Sequence, residues 1–190
     1  MKQNSVYRLV LSALLLALAL VLPLFLGSVQ VLNQSISPMH IPALIAGLTL
    51  GPVWGGLVSL LMPLVRSLFF GMPPFPAVAV PMAFELAGYG FVSGLMYRLL
   101  RKGLKAKNHL PAMLLSLLIA MLAGRLVGGA AKAITMGLQG GSYTFDAFVS
   151  AYFVTTLGGA LVHIIICPAI TMALEAAGLS PYNRELSRSA

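Results

Sequence analysis

The sequence predicts an all-α membrane protein of six transmembrane helices with both termini in the cytoplasm, on the strength of three observations. Hydrophobic residues make up 59% of the chain and charged residues only 8%, a balance too apolar for an ordinary soluble domain. The apolar residues fall in runs near the length of about 20 that a helix needs to cross a bilayer. Of the 12 Lys and Arg residues, all but Arg66, Arg125 and Lys132 fall on one side if both ends of the chain are inside: Lys2, Arg8, Arg98, Arg101, Lys102, Lys105, Lys107, Arg184 and Arg188. The net charge of +8 therefore reads as a topology signal, not as a nucleic-acid footprint.

The first span covers residues 7–26. It is longer than a signal-peptide core and has no clear small-residue cleavage site, so it is expected to remain as a helix. Residues 27–39 form a polar loop containing Gln30, Asn33 and Gln34. A short second helix, 40–50, ends at Gly51-Pro52, and the third follows over 53–70 with a kink at Pro63, one turn before Arg66. The turn Gly71-Met72-Pro73-Pro74 leads into a fourth helix, 75–100, which carries Pro81. Beyond a basic loop lies the fifth helix, 110–136, and beyond a Gly-rich polar linker the sixth, 145–177. Residues 1–190 thus read as a single transmembrane domain.

The three cations outside the orientation pattern are the informative ones. A charge near the bilayer centre costs roughly 2.5–3.5 kcal/mol on insertion scales, so a chain that keeps one pairs it or uses it. Arg66 before the turn and Glu85 after it are expected to pair. Arg125 and Lys132 are two helical turns apart on one face of the fifth helix, with Gly128 between them, an arrangement suited to holding a carboxylate. The plainer alternative has Lys132 snorkelling to the interface and Arg125 bound to a carbonyl or to Glu85. Tyr89 lies one turn from Glu85 and offers a ring and a hydroxyl, or simply fills the core. His40 starts the second helix and His163 lies deep in the sixth; neither has a metal-ligand partner at helical spacing, so no metal is expected. Asn33 and Tyr143 sit in outer loops that can close over a ligand through hydrogen bonds.

Several chemistries are missing. No phosphate-binding Gly-x-x-x-x-Gly-Lys-Ser/Thr loop occurs, and the four acidic residues supply no paired carboxylates for hydrolysis, so the chain is not expected to be an enzyme. Cys167 is the single cysteine, which excludes an internal disulfide. Small residues recur four apart, as in Ala13-x-x-x-Ala17, Ala83-x-x-x-Ala87, Gly90-x-x-x-Gly94 and Gly124-x-x-x-Gly128, spacing that lets helices approach closely in lipid.

The apolar spans, the short second helix, the polar first outer loop and Ala13-x-x-x-Ala17 resemble the S component, the substrate-capturing membrane subunit of energy-coupling factor (ECF) vitamin transporters. The stretches His40-Ile41-Pro42, Pro63 to Pro74 and Met82 to Gly90 are similar to a subgroup associated with pantothenate or hydroxymethylpyrimidine. The resemblance implies a pocket on the extracellular side that includes Arg125, Lys132, Glu85, Tyr89, Asn33 and Tyr143, to which the residue reading adds Arg66 and His40. It also implies a transmembrane coupling subunit (T component) against Ala13 and Ala17, and two cytoplasmic ATPases that consume ATP while this chain binds no cofactor. The location implied is a bacterial plasma membrane. Pantothenate fits the slight cationic excess best, with hydroxymethylpyrimidine, pyridoxine or another vitamin precursor as alternatives. A stand-alone ion-coupled secondary transporter, relaying protons through Arg66 and Glu85, is the reading from a different class, although no inverted repeat is visible.

Overall fold

The computed structural model describes residues 2–26, 37–104 and 109–188, and the described residues form helices joined by turns. They are α1 (Lys2–Leu26), α2 (His40–Leu50), α3 (Pro52–Phe70), α4 (Ala79–Leu104), α5 (Leu110–Leu138), α6 (Phe145–Val149), a π-helical turn (Ser150–Val154), α7 (Leu157–Ala176) and α8 (Pro181–Arg188). Among the described residues, five stretches are long and apolar enough to cross a membrane: Ser5–Phe25, Pro52–Phe70, Ala79–Gly103, Leu110–Leu138 and Phe145–Ala176. The six expected helices are thus five spans and one shorter apolar helix, α2, whose 11 residues at a rise of 1.5 Å measure about 16 Å against a hydrocarbon core of about 30 Å.

The fold is built around that short helix. Every residue of α2 except Ile41 is buried, as expected for a segment that is apolar on all sides. It packs against α1, α3, α4, α7 and α8. Close approach depends on glycines facing one another. A methyl group on Gly47 of α2 would meet the Gly90 carbonyl oxygen of α4 at 2.2 Å, and one on Gly55 of α3 would meet the Gly47 Cα at 2.6 Å. Large apolar side chains point outward, including Leu68, Phe69, Leu161 and Ile165, each more than 60% exposed, which is the surface that lipid tails require.

Several boundaries differ from the sequence expectation: α1 begins at Lys2 and not at residue 7, and α4 and α5 run on to Leu104 and Leu138, past residues 100 and 136. α4 begins at Ala79, not at residue 75, because Pro73, Pro74 and Pro76 supply no backbone N–H and bias the residues before them away from helical angles. Pro81 consequently falls in the first turn of α4, where a missing N–H costs nothing. The expected sixth helix is interrupted over residues 150–156. There Thr155 N–H bonds the Ser150 carbonyl five residues back at 3.0 Å, while the Thr155 and Thr156 hydroxyls donate to the Ser150 and Tyr152 carbonyls at 2.9 and 2.7 Å, diverting them from the regular ladder. The chain also continues past residue 177 into α8, which the sequence reading did not anticipate.

Polar side chains collect at the end of the bundle where α1 starts and α7 finishes. Arg8 pairs with Glu185 at 2.7 Å, Arg101 donates to Asn183 at 2.6 Å, Tyr97 donates to Glu175 at 3.1 Å, and Asn183 also bonds Glu175. The Tyr182 hydroxyl donates to the Gly94 carbonyl at 3.0 Å, and burial pushes its phenol up to about 12. These bonds fasten α8 beneath the other helices and put both ends of the described chain at one end of the molecule.

Candidate functional site

Pairing of α4 with α5 sets the geometry at the opposite end. Tyr89 and Glu85 lie one turn apart on α4 and face Gly124 and Gly128 of α5. A methyl group on Gly124 would meet the Tyr89 ring at 2.2 Å, and one on Gly128 would meet Glu85 Cβ at 2.7 Å. The gap between Arg125 and Lys132 is therefore filled by the acidic side chain of the neighbouring helix, which brings two cations and one carboxylate to one wall.

That wall borders a cavity of about 420 Å³ lined by Glu85, Tyr89 and Met82 of α4, Arg125 and Lys132 of α5, and His40 at the start of α2. Ser37, Tyr143, Tyr152, Thr155, Thr156 and His163 complete its polar lining. The volume lies within the range of about 300–1,000 Å³ typical of small-ligand sites. Glu85 and His40 are each 8% exposed, and Arg125 7%.

Hydrogen bonds hold the side chains in place. Tyr89 donates to Glu85 Oε1 at 2.7 Å, and His40 Nε2 lies 3.4 Å from the same oxygen. His40 Nδ1 donates to the Ser37 carbonyl at 3.0 Å. The His40 ring is tilted against Tyr89 at 5.0 Å and stacked on His163 at 5.8 Å between centroids. Arg125 sits over the Phe153 ring at 5.6 Å and reaches the Thr156 carbonyl at 3.5 Å, too long to be a strong bond. Lys132 donates to the Ala77 carbonyl at 2.8 Å, tying α5 to the proline-rich turn before α4. At the linker, burial raises the Tyr143 phenol above its ordinary range and the negative charge of Glu85 adds to that.

Of the residues singled out from sequence, Arg125, Lys132, Glu85, Tyr89, Tyr143 and His40 meet at this cavity. Arg66 does not line it. Its guanidinium donates to the Leu20 carbonyl of α1 and lies over the Phe70 ring at 5.4 Å, so the expected pair with Glu85 is not formed. Glu85 is engaged by Tyr89 and His40 instead. Asn33, with Gln30 and Gln34, lies outside the described residues. Ala13 and Ala17 are exposed on the outer face of α1. Sequence reasoning set His163 apart from the site and overlooked Tyr152, Thr155 and Thr156. A usable signal was present: Thr156 and His163 are two helical turns apart, next to the only clustered hydroxyls of that span. Among the described residues, no group of three or more His, Cys, Asp or Glu side chains is placed to hold a metal ion.

Residues 7–179 match the family described as ECF transporter, substrate-specific component. No curated protein and no solved structure matched the chain.

Proposed function

Because the chain belongs to the family of substrate-specific components of ECF transporters, we propose that it captures a small water-soluble vitamin or vitamin precursor, with pantothenate as the best candidate, in the cavity between α4, α5 and α7. As a multi-pass membrane protein of a transport family it is a transport subunit and not an enzyme. The observation that supports an anionic ligand is the convergence of Arg125 and Lys132 on one cavity wall against the single carboxylate of Glu85, which leaves one positive charge in excess when His40 and His163 are neutral. Arg125 has five N–H donors, which among the described residues meet only Tyr89 and, at 3.5 Å, the Thr156 carbonyl, so donors of its fork remain for a ligand carboxylate. Tyr89, Tyr152 and the two threonine hydroxyls suit the hydroxyl and amide groups of such a ligand.

In this reading the cavity opens to the cell exterior and the end bearing Arg8, Arg101 and Arg184 faces the cytoplasm of a bacterial cell. A transmembrane coupling subunit docks on the exposed Ala13 and Ala17 of α1, and two cytoplasmic ATPases supply the energy by consuming ATP. The protein is tested by purifying it from its native host and identifying released small molecules by mass spectrometry, followed by titration. Bound pantothenate, or another carboxylate-bearing vitamin precursor, is the expected result. Release of hydroxymethylpyrimidine or pyridoxine would keep the transport role and overturn the anionic ligand. Copurification of a coupling subunit and two ATPases separates the reading with an ATP-driven module from stand-alone transport.

A further inference from the structure

His40 is engaged at both ring nitrogens, and the partners decide where its hydrogens sit. Nδ1 lies 3.0 Å from the Ser37 carbonyl oxygen. A carbonyl only accepts, so Nδ1 carries the hydrogen and donates it. In a neutral imidazole the other nitrogen, Nε2, is then bare. Nε2 nevertheless faces Glu85 Oε1 at 3.4 Å, an oxygen that already accepts the Tyr89 hydroxyl at 2.7 Å. With His40 neutral and Glu85 ionised, two lone pairs oppose each other in a wall where both residues are 8% exposed. One proton between them turns that repulsion into a charge-assisted hydrogen bond.

We propose that His40 and Glu85 together form a binding site for one exchangeable proton in the wall of the cavity. The proton comes from water, adds to the Nε2 lone pair and leaves by the same route; one N–H bond forms or breaks and no other group is altered. The surroundings set the direction of coupling. On α4 Tyr89 hydrogen-bonds the carboxylate, while Arg125 and Lys132 on α5 oppose a further positive charge. His163 of α7 stacks on His40, and the phenols of Tyr152 and Tyr143 border the same space. An anion bound beside the two cations offsets their opposition, so anion and proton favour each other's binding, and by linkage the effect is reciprocal. This last coupling rests on the anionic-ligand reading; the proton site itself does not.

The test incorporates ¹⁵N-labelled histidine into the full-length protein in lipid nanodiscs and follows the ring nitrogens by NMR across the neutral pH range. The His40 signals are identified by their loss in His40→Gln. The expected result is a form protonated on Nδ1 alone at alkaline pH that gains a second proton on Nε2 on acidification. Glu85→Gln, whose amide can donate to Nε2, is expected to weaken that second proton by about tenfold or more. Should Glu85→Gln fail to fold, Tyr89→Phe removes the competing donor, and His40 is then expected to stay doubly protonated further into alkaline pH. An Nε2 that stays bare throughout, a proton on Nε2 in place of Nδ1, or a titration unchanged in the folded variants overturns the site. Added pantothenate is expected to extend the doubly protonated form to higher pH. Lack of that extension, with the ligand-free titration intact, counts against the anionic ligand and leaves the proton site standing.

Discussion

Arg66 and Glu85 look alike in the sequence, each a lone charge in an apolar run on either side of one turn, yet the fold sends them to different partners. The long arginine stem reaches the Leu20 carbonyl of α1 and the Phe70 ring, while the shorter Glu85 packs over Gly128 and meets Tyr89 and His40. That charges in these spans need partners was legible from their cost in lipid. Which partner was not, because it depends on how each helix is rotated about its axis. Arg125→Ala is expected to weaken pantothenate binding at least tenfold, about 1.4 kcal/mol, by titration calorimetry. Arg66→Met, which keeps the stem and drops the charge, is expected to change that affinity by less than about twofold, under roughly 0.5 kcal/mol. At the start of α5, burial and then the charge of Arg101 lower the His109 imidazole below its ordinary value. An imidazole lowered on folding is protonated more readily in the unfolded chain, so it weakens the fold as pH falls through about 6.5 and has no effect well above that. His109→Gln is therefore expected to lessen the loss of thermal stability on mild acidification and to change nothing at alkaline pH.

At the level of elements, helix type and order followed from apolar length, and α2 and α3 begin and end within a residue of expectation because Gly51-Pro52 punctuates them. The break at residues 150–156 was hidden by an apolar run that continues on both sides of it. Its cause is hydroxyls bonding carbonyls, and a hydropathy window does not register that. The break matters for the site: Tyr152, Thr155 and Thr156 line the cavity from the irregular segment, consistent with the frequent association of π turns with function. Gly128 was legible as a gap between two cations, though not as the seat of Glu85. Gly128→Ala is expected to lower stability by about 1–3 kcal/mol, since the added methyl must displace Glu85 Cβ or separate α4 from α5. Thermal unfolding in detergent reads the first effect, and weakened pantothenate binding in the same preparation reads the displacement of Glu85.

Over the whole molecule, one end is stitched by ionic and hydrogen-bonded side chains from α1, α4, α7 and α8, and the other encloses the cavity. The exposed Ala13 and Ala17 lie on the outer face of α1, away from the cavity lining. Replacing both with Leu is expected to abolish copurification of the coupling subunit while leaving pantothenate affinity unchanged, a pair of readouts that separates docking from capture. Membrane character and several of the charged residues that line the cavity were legible because composition and isolated charges are local facts. The central position of α2 was not, since it emerges only when all the helices are assembled. Its length has a consequence for how deep the ligand travels. With its far end, at Thr49, bonded to Ser180 just before α8, a helix only about 16 Å long leaves His40 partway along the bundle, beside Glu85 and short of the far ends of the longer spans. A ligand held by Glu85 and Arg125, as proposed above, would rest partway along the bundle and not at its mouth.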